Sequence, residues 1–90
     1  MPSIKIPTPL RPYTEGEKEI IVKGKNVKEV LDSLCAAYPN MSENLYNDEG
    51  KLRAFANIFM GENHINDLQG LDTPLKENDV IRIIPSIAGG

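Results

Sequence analysis

The segment NVKEVLDSLCAAYP, residues 26–39, constrains the fold more than any other. Val27, Val30, Leu31, Leu34 and Cys35 fall at i, i+3, i+4, i+7 and i+8, which places them on one stripe of an α-helix. Asn26 can accept a hydrogen bond from a free backbone N–H at the helix start, and Glu29 follows three residues on. Pro39 forbids continuation beyond Tyr38. The chain has 90 residues, room for one modest core. The other long apolar stretches alternate, so the helix stripe must be covered by strands.

Ser3–Pro7 reads as a first strand with Ile4 and Ile6 on one face. TPLRPYTEGE reads as a loop, because Pro7, Pro9, Pro12 and Gly16 crowd into it. Lys18–Lys23 is a second strand, with Ile20 and Val22 on one face and Ile21 on the other. Ser42–Tyr46 is expected as a short helical turn after the main helix. LRAFANIFM is a third strand in which Ala56, Ile58 and Met60 alternate with Phe55, Asn57 and Phe59. Gly61 turns the chain, and Ile65 is expected to close a short return strand. GLDTPLKEND is a loop with room for a short turn, and Val80–Ile84 is the last strand. The predicted order is β-β-α-β-β. One helix across one face of a mixed four- to five-stranded sheet, the β-grasp arrangement of the α+β class, satisfies both apolar surfaces. The connection through the helix is right-handed if the second and third strands are parallel neighbours.

The chemistry-bearing residues are sparse. There is no phosphate-binding G-x-x-x-x-G-K-[ST] loop and no G-x-S-x-G elbow. A formal net charge of −3 with dispersed basic residues argues against nucleic acid as a partner. No apolar run is long enough to span a bilayer and no N-terminal apolar h-region is visible, so no membrane partner is expected. With Cys35 alone no internal disulfide is possible, and a reduced, cytoplasmic setting is expected. Cys35 reads as a small core hydrophobe, His64 as a solvated turn residue, and no metal site is expected.

The ending IIPSIAGG is more particular. Pro85 has no amide hydrogen, so it ends the last strand's ladder. The expected division is a folded domain over residues 1–84 and a flexible tail over 85–90. Six extended residues at about 3.3–3.6 Å each reach roughly 20 Å, enough to thread a partner's pocket. The terminal carboxyl group is an anion at neutral pH. To transfer an acyl group it must first be activated, and ATP held on another protein is the expected activator. Glycines at the end pass a narrow channel and leave the acyl carbon unshielded. A docking face is also expected. If Ile58, Met60, Ile81 and Ile83 face the helix, then Phe59, Arg82 and Ile84 face outward. Phe59 and Ile84, with Ile21, would then form an exposed apolar patch near the root of the tail.

These residues resemble a known family. TPLKENDVIRIIPSIAGG is similar to the ending of the MoaD/ThiS-type ubiquitin-like sulfur carriers: a leucine, a turn, an alternating strand, a proline and a terminal Gly-Gly. IPTPLRPYTEGEKEI and GKLRAFANIFMGENHI resemble the CysO-type branch, which serves cysteine biosynthesis. Where the family usually has Gly-Asp before the last strand, this chain has Asn78-Asp79; Asn tolerates left-handed backbone, so the turn is expected to survive. The resemblance implies a protein co-substrate, not an enzyme, with no stably bound cofactor. An E1-like adenylyltransferase of the MoeB/ThiF type would adenylate the Gly90 carboxylate with ATP, and sulfur would displace AMP to leave a thiocarboxylate. A PLP-dependent cysteine synthase would then take the sulfur, and a zinc peptidase of the JAMM type would release the product. Gly89, Ala88, Ile87 and Pro85 carry over as the tail threading the partner, and Phe59 as the docking residue. The alternatives are a carrier for molybdopterin (as small subunit of the synthase, beside its large subunit), a tungsten cofactor, thiamine or homocysteine, or a modifier joined to lysines.

Overall fold

The structure, a computed structural model, describes residues 1–53 and 56–85. Five strands form one mixed sheet: β1 (Ser3–Lys5), β2 (Glu19–Ile21), β3 (Ala56–Met60), β4 (Asn63–His64) and β5 (Val80–Pro85). Their spatial order is β2-β1-β5-β3-β4. β1 runs parallel to β5 with Ile4 opposite Ile81, and the other pairings are antiparallel. The first and last strands thus meet at the centre. β2 and β3 are not neighbours, so the condition for a crossover between them is not met.

Helix α1 (Val27–Ala37) begins where expected. The Asn26 side chain accepts from the Glu29 amide at 2.8 Å, and the Glu29 carboxylate accepts from the Lys25 amide at 3.0 Å. The free Val27 amide donates to the Thr73 carbonyl at 3.1 Å, and Leu75 N–H donates to the Lys25 carbonyl at 2.8 Å. The loop before β5 therefore completes the helix start. Val27, Val30, Leu31 and Leu34 are fully buried against Ile4, Ile58, Ile81 and Ile83 of the sheet. Gly24 sits where β2 passes into the helix; a Cβ there would lie 2.6 Å from Val30 Cγ2 and 2.7 Å from the Val30 nitrogen. Only glycine allows that approach.

Several local expectations are corrected. The proline-rich loop is 3-10 helical over Thr8–Thr14, because its prolines hold φ near helical values while removing amide donors. Its end is pinned by the buried Thr14 hydroxyl, 2.9 Å from the Glu17 carbonyl, and Glu15 turns the chain at φ 56°. The short turn after Pro39 is a full helix, α2 (Asn40–Leu45), which buries Met41 and Leu45. Ile65 does not extend the return strand: it enters a 3-10 turn (Ile65–Asp67) and is buried in the core. Asn78 needs no left-handed backbone, since Glu15 is the one non-glycine residue with positive φ among the described residues. Instead the Asp79 carboxylate accepts from the Lys76 amide at 2.7 Å and closes the turn itself.

Candidate functional site

β5 ends at Pro85, opposite Ala56 of β3. The tail positions Ile87, Ala88, Gly89 and Gly90, and Phe55 at the entry to β3, lie outside the described residues. The surface around the root of the tail is described. Along β5, Ile81 and Ile83 are buried, while Arg82 and Ile84 point away from the helix. Along β3, Ile58 is buried and Phe59 and Asn57 take the other side, Phe59 opposite Arg82 and Asn57 opposite Ile84. Period-two alternation on two paired strands thus gathers Phe59, Arg82 and Ile84 on the face remote from the helix.

Ile21 is exposed on the same face but does not join that group. It pairs with Ser3, and Ser3 pairs with Val80 at the opposite end of β5 from Ile84. Two strand spacings and four residues of rise separate Ile21 from Ile84 by about 16 Å. A polar row lies between them: Glu19 opposite Lys5, and Lys5 opposite Arg82. Glu19 is held there by the Ser3 hydroxyl, which donates to its carboxylate at 2.8 Å.

His64 differs from its sequence reading. It is half-buried, paired with Phe59, and its ring meets the Phe59 ring edge to face, 5.1 Å between centroids at 73°. Its Nδ1 accepts from the Asn66 amide at 3.0 Å, and its Nε2 lies 3.1 Å from Asn57 Oδ1. Because Nδ1 accepts, the neutral ring carries its proton on Nε2 and donates to Asn57. On the other flank of Phe59, the Arg82 guanidinium donates from Nη2 to the Gly61 carbonyl at 2.9 Å. No local sequence pattern announces this arrangement, since Asn57, Gly61, His64 and Asn66 meet only through the β3–β4 turn.

Cys35 is free and half-buried on the helix side of the molecule. Burial, then the nearby Asp32 charge, pushes its thiol up, and a hydrogen bond with Ser42 only partly opposes this. The thiolate is disfavoured, as suits a packing residue and not a nucleophile. It lines a cleft of about 390 Å³ with Lys28, Asp32, Ser42, Tyr46 and Leu71. The Tyr46 hydroxyl is buried without a hydrogen-bond partner among the described residues. Burial first, then the charges of Asp32 and Cys35, pushes it up to about 12. Among the described residues no three of His, Cys, Asp and Glu gather as a metal site would require, and no helix is long and apolar enough to cross a membrane.

A mixed five-stranded sheet folded over one main helix, with its parallel central pair made by the first and last strands, defines a ubiquitin-like β-grasp protein. The chain belongs to the ThiS family, which it matches over residues 4–90. It is 36% identical over 90 residues to the sulfur carrier protein CysO of Mycobacterium tuberculosis, a match covering 98% of this chain and 97% of that one. In structure it is similar to a chain of the BexX/CysO complex of Amycolatopsis orientalis, with 32% identity, a TM-score of 0.89 and full coverage of both chains. It is equally similar to small archaeal modifier protein 1 of Methanosarcina acetivorans, with 32% identity, a TM-score of 0.89, and coverage of 99% of this chain and 95% of that one. The protein is a sulfur carrier of this family and not an enzyme.

Proposed function

We propose that the Gly90 carboxylate is the group that carries the sulfur, and that the sulfur goes to cysteine. In this reading an E1-like enzyme of the MoeB/ThiF type transfers AMP from ATP to the carboxylate, releasing pyrophosphate. A sulfur donor then displaces AMP, and the product is a C-terminal thiocarboxylate. On a PLP-dependent cysteine synthase the thiocarboxylate sulfur displaces the leaving group of an activated serine, and the resulting thioester rearranges to an amide by an acyl shift. A zinc peptidase of the JAMM type hydrolyses that amide to release cysteine and the carrier. Neither ATP nor any other cofactor stays with the carrier. The working division is a folded body that includes Pro85, which the structure pairs with Ala56 in β5 where the sequence placed it in the tail, and a reactive tail beyond it, with Gly89, Ala88 and Ile87 inside the partner during transfer. Phe59, Ile84 and Arg82 make the docking face. A small, reduced, cytoplasmic protein suits this chemistry, because thiocarboxylates and thiols persist there.

The observation that carries the reading is the near-full-length similarity to CysO, beside a family match that runs to Gly90. The face made by half-buried Phe59 and exposed Ile84, near the last residue of β5, adds a physical reason: a partner seated on it has the tail at hand. Mass spectrometry of protein from its native host tests the chemistry. Replacement of one terminal oxygen by sulfur is the expected result, and a terminus that is never modified overturns it. Deleting Gly90 is expected to abolish carrier-dependent ATP–pyrophosphate exchange by the activating enzyme while leaving the thermal transition in place. Full exchange by the truncated form would show that the terminal glycine is not the site.

A second reading, conjugation of Gly90 to lysines of other proteins, is favoured by the likeness to small archaeal modifier protein 1. The same mass spectrometry reads it out as Gly-Gly remnants on target lysines.

A further inference from the structure

We infer that His64 is a positioning residue for the docking face: it holds the Phe59 ring in the pose that the activating partner meets. The inference rests on the reading of Phe59 as a docking residue. A half-buried phenylalanine on an open sheet face has no cavity to fix its rotamer, and ordering it on binding costs free energy. Here the ring is fixed beforehand. The His64 ring lies edge to face against it at 5.1 Å. That imidazole cannot turn freely, because both nitrogens are engaged: Nδ1 by the Asn66 amide at 3.0 Å and Nε2 by Asn57 Oδ1 at 3.1 Å. Rotation of the ring would break two hydrogen bonds at once.

The opposite flank is built the same way. Arg82 is the cross-strand neighbour of Phe59, and its guanidinium is tied to the Gly61 carbonyl at 2.9 Å. Phe59 therefore stands between two side chains that are each anchored around the β3–β4 turn. Such anchoring adds nothing to the chemistry of the tail. It reduces the entropy that the partner's contacts must overcome, so it acts on the affinity of the carrier for its activating enzyme.

The test uses the whole carrier and the MoeB/ThiF-type enzyme of the same organism in ATP–pyrophosphate exchange, with carrier concentration varied. His64→Ala is expected to raise KM for the carrier about three- to tenfold, the order set by one aromatic edge contact, with kcat unchanged. His64→Phe keeps a ring against Phe59 but neither nitrogen anchor, and its KM is expected between those of the wild type and His64→Ala. In the free protein, NMR of the Phe59 side chain is expected to show one χ1 rotamer in the wild type and averaging in His64→Ala. An unchanged KM, a fall in kcat at constant KM, or a single Phe59 rotamer in both proteins overturns the inference. If His64→Ala unfolds, His64→Phe is judged by the same criteria against the wild type. Activity of the wild type with an unaltered KM in the variants sinks this inference alone, whereas absence of exchange with the wild type sinks the functional reading and this with it.

Discussion

The two faces of the sheet are made from the same strands and obey opposite rules. On the helix side Ile4, Ile58, Ile81 and Ile83 are buried aliphatics, and none needs a polar partner. Across the backbone, one row of side chains crosses all five strands: Glu19, Lys5, Arg82, Phe59 and His64. Three of these five are held by hydrogen bonds that do nothing for the core: Glu19 by Ser3, Arg82 by Gly61, His64 by Asn57 and Asn66. The inner face is specified by volume and period. The outer face is specified by orientation. Side chains fixed in place on a partly exposed surface contribute little to stability, which accords with the docking role proposed for this face.

The sharpest way to break this contrast is to alter neighbouring positions on one strand. Ile58→Ala, on the inner face, is expected to destabilise by about 2–5 kcal/mol, since the cavity it leaves lies under α1. For a domain this size that lowers the melting temperature by about 8–40 °C. Phe59→Asp, one residue on, is expected to weaken docking to the activating enzyme at least about tenfold while costing less than about 1.5 kcal/mol of stability. Calorimetry beside binding measurements separates the two. If Phe59→Asp melts like Ile58→Ala, the outer face belongs to the core and its reading as a docking surface fails.

The smallest effect is expected on the helix side. Tyr46 holds its proton to about pH 12 in the folded protein, against about 10 in the unfolded chain. Between those values the unfolded state binds fewer protons, so stability is intact below pH 10 and is lost as pH rises through 12. Tyr46→Phe removes a buried hydroxyl that lacks a partner among the described residues. It is expected to leave stability at pH 7 unchanged or slightly higher, by less than about 1 kcal/mol, and to make the alkaline unfolding transition less steep. Equilibrium denaturation across pH 8–12 checks this; a clear loss of stability at pH 7 would mean that the hydroxyl is paired after all.

Much of the fold was legible because it is written in short-range patterns. The stripe from Val27 to Cys35, the cap at Asn26 and the stop at Pro39 specify α1, and alternation in β3 and β5 specifies which side chains share a face. Those rules depend on backbone period alone, and they also assigned Phe59, Arg82 and Ile84 to the outer surface. What failed was of another kind. Ile21 was grouped with Ile84 because both are exposed and apolar, yet they stand at opposite ends of the sheet. His64 looked solvated because the partners of its ring, Asn57, Phe59 and Asn66, are only brought round it by the turn at Gly61.

The sequence by itself therefore determined the main helix, the strands and their buried faces and, through its likeness to the sulfur carriers, the class of protein. Tertiary structure alone decided that the first and last strands pair in parallel at the centre, that Phe59 and Ile84 share one end of the sheet away from Ile21, and that the His64 imidazole packs edge to face against Phe59. Period and capping act between residues a few positions apart, whereas strand order and side-chain anchoring depend on distances that exist only after the chain has closed on itself.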